Sequence, residues 1–425
     1  MNIRFLVYIV ILFLTFVVSP VDIHAGIIDD LRQKIDGRGI EIKNLEQEIA
    51  QYEKDIASLG GQAKTLATSI KELDIARKKL DVNIRLTESK ISAQNLKIEK
   101  LELEINDKKV KIGLNSSAIG EILRTMDQTE SKNLVEVILS TNNFSKFWDD
   151  IENLERLSGL IREQLKELEQ LKAARESDKK STEEEKEVLM GLKKELADEK
   201  RVVENNKKEK DRLLVSTKNK ESNYKKILQE KQKLKDAFEA ELREFESELK
   251  VAIDPNSFPP VGSQVLSWPT DNVRVTQYFG DTAFAKSGAY NGKGHNGIDI
   301  GVTYGTKIKA SLSGTIAGTG DTDIICPGAS YGRWVLIKHK NGLSTLYAHL
   351  SVISVSAGQE VDTSGIIGYS GDTGYSTGPH LHLTVYATQG VSIESRKSKV
   401  CGGTYIIPIA PLNAYLDPIN YLKKL

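Results

Sequence analysis

The sequence predicts a multidomain fold: a long α-helical coiled coil, interpreted as an antiparallel hairpin, followed by an all-β domain. Three observations predict it. No proline occurs between Pro20 and Pro255, which permits very long helices. Isoleucine recurs at every seventh residue over a long stretch of this region. After Pro255, glycine becomes frequent and short β-branched runs such as "VRVTQYFG" and "RWVLIKHK" appear, which is typical of short strands joined by turns.

The first helical stretch carries a heptad pattern in one unbroken register. Of the 13 positions spaced by seven from Ile28 to Ile112, 11 are isoleucine, and the exceptions are Ala63 and Arg77. Leucines follow three residues later at many of these positions, which completes an a/d seam. A core helix of a globular domain is the alternative, but such helices seldom exceed about 20 residues. The pattern therefore predicts a coiled coil, with Gly60-Gly61 and Arg77 as its weak points.

A second heptad-like stretch follows the first and is less regular. Its apolar positions are Leu154, Ile161, Leu168, Leu189, Leu196, Val203, Tyr224, Phe238 and Phe245. Between the two stretches, near residues 113–150, apolar residues come in short groups, which indicates short helices that form a turn. An antiparallel hairpin over residues 26–252 lets the two seams pack together, whereas a parallel homodimer is the competing arrangement.

The N-terminus reads as a secretory signal over residues 1–25. Arg4 precedes an uncharged apolar run that ends at Val18, and Ile23-His24-Ala25 suits a cleavage site. An uncleaved anchor is the alternative, although the run is shorter than the roughly 20 apolar residues that a spanning helix needs. Either interpretation predicts an exported protein, in a periplasm, at the outer face of the cytoplasmic membrane or at the cell surface.

Charge and cysteine content narrow the function further. Lys+Arg and Asp+Glu both number 59, so the net charge is zero and nucleic acid is not an expected partner, because phosphate binding needs a basic excess. The chain has only two cysteines, Cys326 and Cys401. In an oxidising compartment they could form a disulfide, but two unrelated thiols are about as compatible with the sequence.

The candidate chemistry lies in the predicted β domain, residues 268–425, which a linker over residues 253–267 precedes. Five of the six histidines fall there: His295, His339, His349, His380 and His382. His295 stands four residues before Asp299, and His380 two before His382. On extended strands such even separations keep both side chains on one face. Two imidazoles and one carboxylate suit a catalytic zinc ion, which commonly takes three nitrogen or oxygen ligands and leaves one position open.

Three segments carry a family resemblance. "HNGIDI", "LYAHLS" and "GDTGYSTGPHLHL" together resemble the signature segments of LytM-type (lysostaphin-like) zinc endopeptidases, which cleave peptide bonds in bacterial peptidoglycan. The resemblance covers about Trp268 to Leu422. With the coiled coil in front, the chain is similar to EnvC-like cell-wall hydrolases and activators of the division apparatus.

This resemblance implies roles for five side chains. His295, Asp299 and His382 match the zinc ligands, and His349 and His380 match two catalytic histidines that do not bind the metal. The implied function is an exported zinc endopeptidase acting on peptide cross-links or stem peptides of peptidoglycan, in cell division or wall remodelling. The alternative is a non-catalytic activator of cell-wall amidases. The coiled coil is expected to recruit a membrane-bound division or regulatory protein.

Some features depart from the family pattern or have no role in it. His339 is expected at the surface, at the end of a strand. Leu383 stands where the family usually has an aromatic residue. The segments "DTDIICPGAS" and "SIESRKSKVCGGTYIIPIA" resemble loops particular to this chain, and a disulfide between their cysteines could pin them together beside the cleft. The glycines of "GYSGDTGYSTG" are expected to shape a wall of that cleft.

Overall fold

The structure is a computed structural model that describes residues 22–59, 65–130, 144–249, 251–280 and 294–425. These residues divide into two compact units, residues 22–44 with 86–195, and residues 45–85 with 196–425. Residues 1–21 of the predicted signal peptide lie outside the described residues. None of the described helices contains an apolar stretch long enough to cross a membrane.

Four long helices are present in the described part of the chain. They are α1 (Asp22–Leu59), α2 (Leu66–Glu130), α3 (Phe144–Thr217) and α4 (Glu221–Glu248). Helix α2 continues to Glu130, so residues 113–130 extend one helix where the sequence predicted short ones. The rest of the predicted turn, residues 131–143, lies outside the described residues, as does the Gly60-Gly61 pair.

Contacts within the first unit have an antiparallel order. The Gln94 side chain of α2 donates to the carbonyl of Glu185 on α3 at 3.0 Å. Lys108, further along α2, pairs with Asp178, which lies earlier on α3. Because the residue number falls on one helix as it rises on the other, α2 and α3 are antiparallel, as the sequence predicted.

In the second unit, the part of α1 from residue 45 onward pairs with α2. Lys79 of α2 pairs with Glu53 of α1 at 2.7 Å, and Arg85 pairs with Glu48 at 3.2 Å. These pairs again run in opposite directions along the two helices. Within this unit, α2 therefore has α1 as an antiparallel neighbour.

The C-terminal region is built from short strands, as the fold class predicted. The thirteen strands in its described part are β1 (Val275–Gln277), β2 (Ile298–Ile300), β3 (Lys307–Lys309), β4 (Gly314–Asp321), β5 (Arg333–His339), β6 (Leu343–Ala348), β7 (Leu350–Ile353), β8 (Glu360–Val361), β9 (Ile366–Ser370), β10 (Leu381–Ala387), β11 (Ser392–Lys397), β12 (Thr404–Ile409) and β13 (Tyr415–Leu416).

The strands form three antiparallel sheets. The largest has the order β1-β2-β10-β6-β5-β4-β8, with β13 also paired to β10. A second sheet has the order β3-β9-β7, and β11 and β12 form a hairpin. The main core includes Ile298, Ile337 and Tyr347, all fully buried. Leu266, placed by the sequence in the linker, is also fully buried in this core and bridges to Leu422, so ordered contacts of the domain begin before residue 268.

A second core joins helix α4 to the β domain. Phe238 and Leu242 of α4 pack with Trp334, Tyr386 and residues of β12. Cys326 and Cys401 form a disulfide beside this core, with their Cα atoms 5.8 Å apart. The alternative that the sequence left open, two unrelated thiols, is therefore excluded, and the bond ties the β11–β12 hairpin to the segment after β4.

Candidate metal centre and active site

Strand pairing brings the three predicted metal ligands together. Asp299 in β2 lies directly opposite His382 in β10 in the antiparallel register. His295 precedes β2 and forms an isolated bridge with Gly280. Directly opposed residues of antiparallel strands point to the same face of the sheet, and the separation of four residues keeps His295 on the face of Asp299, so these three point to one side. The three side chains converge as the sequence led us to expect, and their role as metal ligands stays a prediction.

The three donor atoms are close enough to share one ion. Asp299 Oδ1 lies 2.9 Å from His382 Nδ1 and 3.3 Å from His295 Nε2. The two imidazole nitrogens are 3.1 Å apart. A tetrahedral ion with ligand bonds of about 2.0–2.1 Å needs donors roughly 3.3 Å apart. His295, Asp299 and His382, all buried, therefore have the composition and spacing of a divalent metal site.

Each histidine ligand is oriented by a hydrogen bond from its other ring nitrogen. His295 Nδ1 donates to the carbonyl of Tyr278 at 3.2 Å. His382 Nε2 donates to the Thr384 hydroxyl at 2.9 Å. Such outer contacts fix the ring orientation and the tautomer, and leave the lone pair of the remaining nitrogen for a metal. His295 thus offers Nε2, and His382 offers Nδ1.

Burial and charge favour the protonation states that bind a cation. Burial lowers the pKa of His382 to about 4, so its imidazole is neutral at physiological pH. Burial alone would raise the pKa of Asp299, but the imidazoles of His295 and His380 hold it well below its ordinary value. The centre therefore presents the neutral imidazole of His382 and the carboxylate of Asp299, which together with the His295 ring are a suitable donor set for a borderline divalent ion.

The two predicted catalytic histidines lie beside this centre. The ring centroids of His349 and His380 are 4.6 Å apart, and His380 Nε2 lies 3.9 Å from Asp299 Oδ1. His349 Nδ1 donates to the Thr373 carbonyl at 2.8 Å, and His380 Nδ1 donates to the Gly378 carbonyl at 2.9 Å. Both rings therefore keep Nε2 available for proton transfer.

His349 has an unusual backbone conformation. Its φ is +61°, a region that residues with a side chain rarely occupy. The residue stands between β6 and β7, and its N–H donates to the Tyr331 carbonyl at 2.9 Å. Burial and the neighbouring His380 and His382 lower its pKa well below the ordinary value. A strained backbone at a buried, neutral histidine is typical of a functional position.

Glycines permit close packing around the site. A Cβ on Gly297 would lie 2.4 Å from the Leu383 carbonyl oxygen and 2.9 Å from the His382 ring, so only glycine fits between His295 and Asp299 here. Gly374, with φ +66°, packs against the backbone of Gly332. Gly378 lines the cavity beside the site, as the sequence predicted, whereas Gly374 serves packing between loops.

His339 is not at the surface, so that expectation was wrong. It is 2% exposed; its Nδ1 donates to the Ser313 carbonyl at 3.0 Å, and its Nε2 forms a hydrogen bond with the Thr345 hydroxyl at 2.8 Å. Both ring nitrogens have partners at the end of β5, so the residue is a satisfied core histidine. Leu383 is fully buried among the main-core residues and leaves the ligands undisturbed.

A cavity of about 1020 Å³ opens on the metal centre, and helices form part of its wall. The β domain contributes all five site residues, together with Tyr331, Asp372 and Tyr375. Helix α3 contributes Glu209 and Arg212, and α4 contributes Lys231, Arg243 and Glu246. Arg243 donates to the carbonyl of Gly294, the neighbour of His295. All these lining residues belong to the second unit.

Some residues of the site were missed from the sequence. Thr384 stands two residues after His382 on the same strand face, so the spacing rule that found the ligands could also have found it. Tyr331 accepts a hydrogen bond from Asn296 at 3.3 Å, and its ring centroid lies 5.9 Å from that of His382. No sequence pattern pointed to Tyr331, nor to the charged side chains of α3 and α4.

The comparison with family models agrees with this geometry. The model described as Peptidase family M23 matches residues 293–395, which contain all five site residues. The C-terminal β domain belongs to family M23. The match begins just before His295 and ends within β11, so it does not extend to the helices.

Curated relatives match about a fifth to a quarter of this chain. The chain is 46% identical over 88 residues to DD-carboxypeptidase/endopeptidase Mpg of Neisseria meningitidis serogroup B, covering 21% of this chain and 19% of that protein. It is 38% identical over 106 residues to peptidoglycan DD-endopeptidase ShyA of Vibrio cholerae, covering 25% of this chain and 23% of that one. Lysostaphin of Staphylococcus simulans is 40% identical over 96 residues, covering 22% and 18%. The chain therefore spans about a fifth of the length of these relatives.

Among solved structures, the catalytic domain of lysostaphin from Staphylococcus simulans is similar to the M23 domain. The match is 27% identical and covers 35% of this chain and 91% of that one, with a TM-score of 0.27.

Proposed function

We propose that this chain is an exported zinc-dependent endopeptidase that cleaves peptide cross-links or stem peptides of bacterial peptidoglycan. One observation carries the proposal: the five side chains His295, Asp299, His349, His380 and His382 converge at one cavity, three of them with the spacing of a metal site. The M23 match and the names of the curated relatives support peptidoglycan as the substrate.

Each residue has a distinct task in this proposal. His295, Asp299 and His382 hold the zinc ion, which when bound supplies Lewis-acid chemistry by lowering the pKa of water and polarising a carbonyl. His349 and His380 keep Nε2 free because each donates Nδ1–H to a backbone carbonyl. They orient the attacking water, stabilise developing negative charge or pass a proton to the leaving amine.

A pair of matched variants tests the proposal. We expect Asp299→Ala in the full chain to lose both bound zinc and hydrolysis of purified murein, because the carboxylate oxygen contacts both imidazole ligands. Asp271→Ala is the control, since its side chain is 78% exposed in a surface ion pair with Lys309, which contributes little. Zinc content is measured by elemental analysis and cleavage by mass spectrometry of the digest. Undiminished cleavage by Asp299→Ala would refute the assignment.

The alternative function is a non-catalytic activator of cell-wall amidases. An activator of this kind does not need an intact set of metal ligands. Because all five site residues are present here, the endopeptidase is the preferred proposal. A zymogram with and without a chelator separates the two functions. Cleavage by the protein alone that the chelator abolishes supports the endopeptidase, whereas metal-independent stimulation of an amidase without such cleavage supports the activator.

The helical region is proposed to recruit a membrane-bound division or regulatory protein. The first unit contains none of the described residues that line the cavity. Its helix α2 exposes Leu114 (44%) and Leu123 (50%), which are apolar side chains available to a partner. Cross-linking of the full chain to a membrane-bound partner should fall for the double variant Leu114→Lys/Leu123→Lys. It should persist for the control Lys233→Met, a substitution at an exposed position of α4. Equal cross-linking by both variants would contradict this role.

The proposal also places the protein in the periplasm or at the outer face of the cytoplasmic membrane, with a role in division or wall remodelling. The disulfide Cys326–Cys401 supports an oxidising compartment, since such bonds persist mainly outside the cytoplasm. Fractionation of cells with an antibody against the β domain tests this location. Recovery of the protein in the cytoplasmic fraction would contradict it.

A further inference from the structure

A lysine from helix α4 reaches into the cavity beside the catalytic histidines. The Lys231 ammonium lies 3.4 Å from Asp372 Oδ2 and 3.4 Å from the carbonyl oxygen of Ser376. Its side chain is 36% exposed, and that of Asp372 is 14% exposed. The ion pair is therefore enclosed by the cavity wall and only partly open to solvent.

The segment that holds this ammonium also orients the two catalytic histidines. Thr373, the neighbour of Asp372, accepts the hydrogen bond from His349 at 2.8 Å. Ser376 Oγ lies 3.2 Å from His380 Nδ1. A group bound between Asp372 and Ser376 therefore contacts the same loop that orients both rings. Asp372, Lys231 and the three candidate metal ligands line the same cavity.

Asp372 depends on α4 for its partner. Oδ1 is buried and has no hydrogen-bond partner, and Oδ2 pairs with Lys231. Among the described residues, no cation of the β domain forms an ion pair with Asp372. When Lys231 is absent from this place, a largely buried carboxylate is left without a counter-charge, which is costly. A carboxylate kept in this state beside catalytic groups suggests a ligand that brings its own positive charge.

The other charged groups facing Lys231 come from helix α3. Glu209 is attracted to the ammonium, and Arg212 is repelled by it. These two charges have opposite signs, so their effects on a cation at this position partly cancel. Asp372 makes the largest contribution, and it belongs to the β domain that carries the metal ligands.

We propose that Asp372 and the Ser376 carbonyl form a subsite for a primary ammonium group of the substrate peptide, and that Lys231 fills this subsite as an internal ligand. The inference rests on the proposed function for the identity of the peptide. It assigns a specificity element: a peptide with a free side-chain amine, such as that of a diamino acid, binds in preference to the same peptide with its amine acylated. The competing explanation is an ion pair that only tethers α4.

Binding to the metal-free full chain tests the subsite without relying on hydrolysis. The probe is a fluorescent murein tetrapeptide with a free side-chain amine, compared with the same peptide acetylated on that amine. Lys231→Met should bind the free-amine peptide about ten-fold more tightly than the wild type, because the internal competitor is gone. The acetylated peptide should show little gain. Lys233→Met is the matched control at an exposed position of α4, and it should behave like the wild type.

A second substitution assigns the preference to the carboxylate. In Lys231→Met/Asp372→Asn, the ratio of the two affinities should fall to about one. Equal affinity of Lys231→Met for both peptides, or a ratio that survives Asp372→Asn, would overturn the subsite and leave a tether. Circular dichroism confirms that the variants fold, and Lys231→Gln replaces the methionine variant if that one does not.

The outcomes also distinguish this subsite from the proposed function. If the zinc-loaded chain cleaves no murein while the metal-free chain prefers the free amine, the endopeptidase proposal fails and the subsite stands. If murein is cleaved but acetylation of the peptide makes no difference to binding, the subsite alone is rejected.

Discussion

We expect Glu246 to make the stability of the contact between helix α4 and the β domain depend on pH. It is 2% exposed, and it accepts a hydrogen bond from the Tyr415 hydroxyl. The groups that face it are Arg243 on its own helix and the phenols of Tyr331, Tyr386 and Tyr415 from the β domain. Burial raises the pKa of Glu246 from 4.5 to about 7 because a charged carboxylate is poorly solvated there.

The sign and size of the effect follow from this pKa. The folded protein favours the protonated form of Glu246. The contribution of this residue to the free energy of unfolding is therefore fully present below pH 4.5 and is lost as the pH rises to about 7. Each pH unit in this window costs about 1.4 kcal/mol. The ionised side chain therefore costs the folded state about 3 kcal/mol above pH 7. Glutamine has a similar shape and cannot ionise, so Glu246→Gln removes this cost.

Chemical denaturation at pH 4.5 and pH 8 tests this reasoning in the full chain. At pH 4.5, the free energies of unfolding of the wild type and Glu246→Gln should be similar. At pH 8, the variant should be more stable by about 3 kcal/mol. Glu230→Gln is the control, since Glu230 is exposed on the same helix and should give no pH-dependent difference. A Glu246→Gln variant whose advantage does not grow between the two pH values would refute the assignment of a buried, neutral acid.

Three further variants test contacts at the site and in the second core. Thr384→Val removes the acceptor for the hydrogen bond from His382 Nε2–H. We expect it to weaken zinc binding about 10- to 100-fold in a chelator competition. An unchanged affinity would mean that this hydrogen bond does not orient the ring. Phe238→Ala should destabilise the protein by about 3–5 kcal/mol in denaturant unfolding, since the ring is 2% exposed in the second core, and a loss below about 1 kcal/mol would argue against this packing. Replacing Cys326 and Cys401 by serine opens a loop of 75 residues and should cost about 4 kcal/mol under non-reducing conditions, with no difference from the wild type in reductant.

The convergence of the candidate metal ligands could be expected from the sequence because its signal is local, while their role as ligands stays a prediction. The spacing of His295 and Asp299, and that of His380 and His382, indicates which side chains share a strand face. The register between β2 and β10 then brings the two pairs together. The same reasoning could not predict the burial of His339. It ends a strand, as expected, but its burial depends on Ser313 and Thr345, which are distant from it in the sequence or on another strand.

The partner of a buried helix face could not be predicted in the same way. Tyr224, Phe238 and Phe245 continue the heptad-like pattern, and all three are buried, at 4%, 2% and 6% exposure. The pattern predicted a helical partner for this face. Phe238 instead packs with strand residues of the β domain, because an apolar stripe gains the same free energy from any apolar surface that covers it. Periodicity identifies the face that is buried and carries no information about the surface it meets.

The break between α3 and α4 shows the same limit for backbone signals. The proline-free sequence permitted one continuous helix, yet α3 ends at Thr217 and α4 begins at Glu221. Lys218 and Asn219 take positive φ values of 49° and 56°. Asparagine tolerates this conformation, but lysine gives no such signal, so the break depends on tertiary contacts that repay the strain. One such contact is the hydrogen bond between Tyr224 and Ser69 at 2.7 Å, just after the break. Helix α4 starts anew there, and its residues Lys231, Arg243 and Glu246 line the cavity through contacts that no sequence motif records.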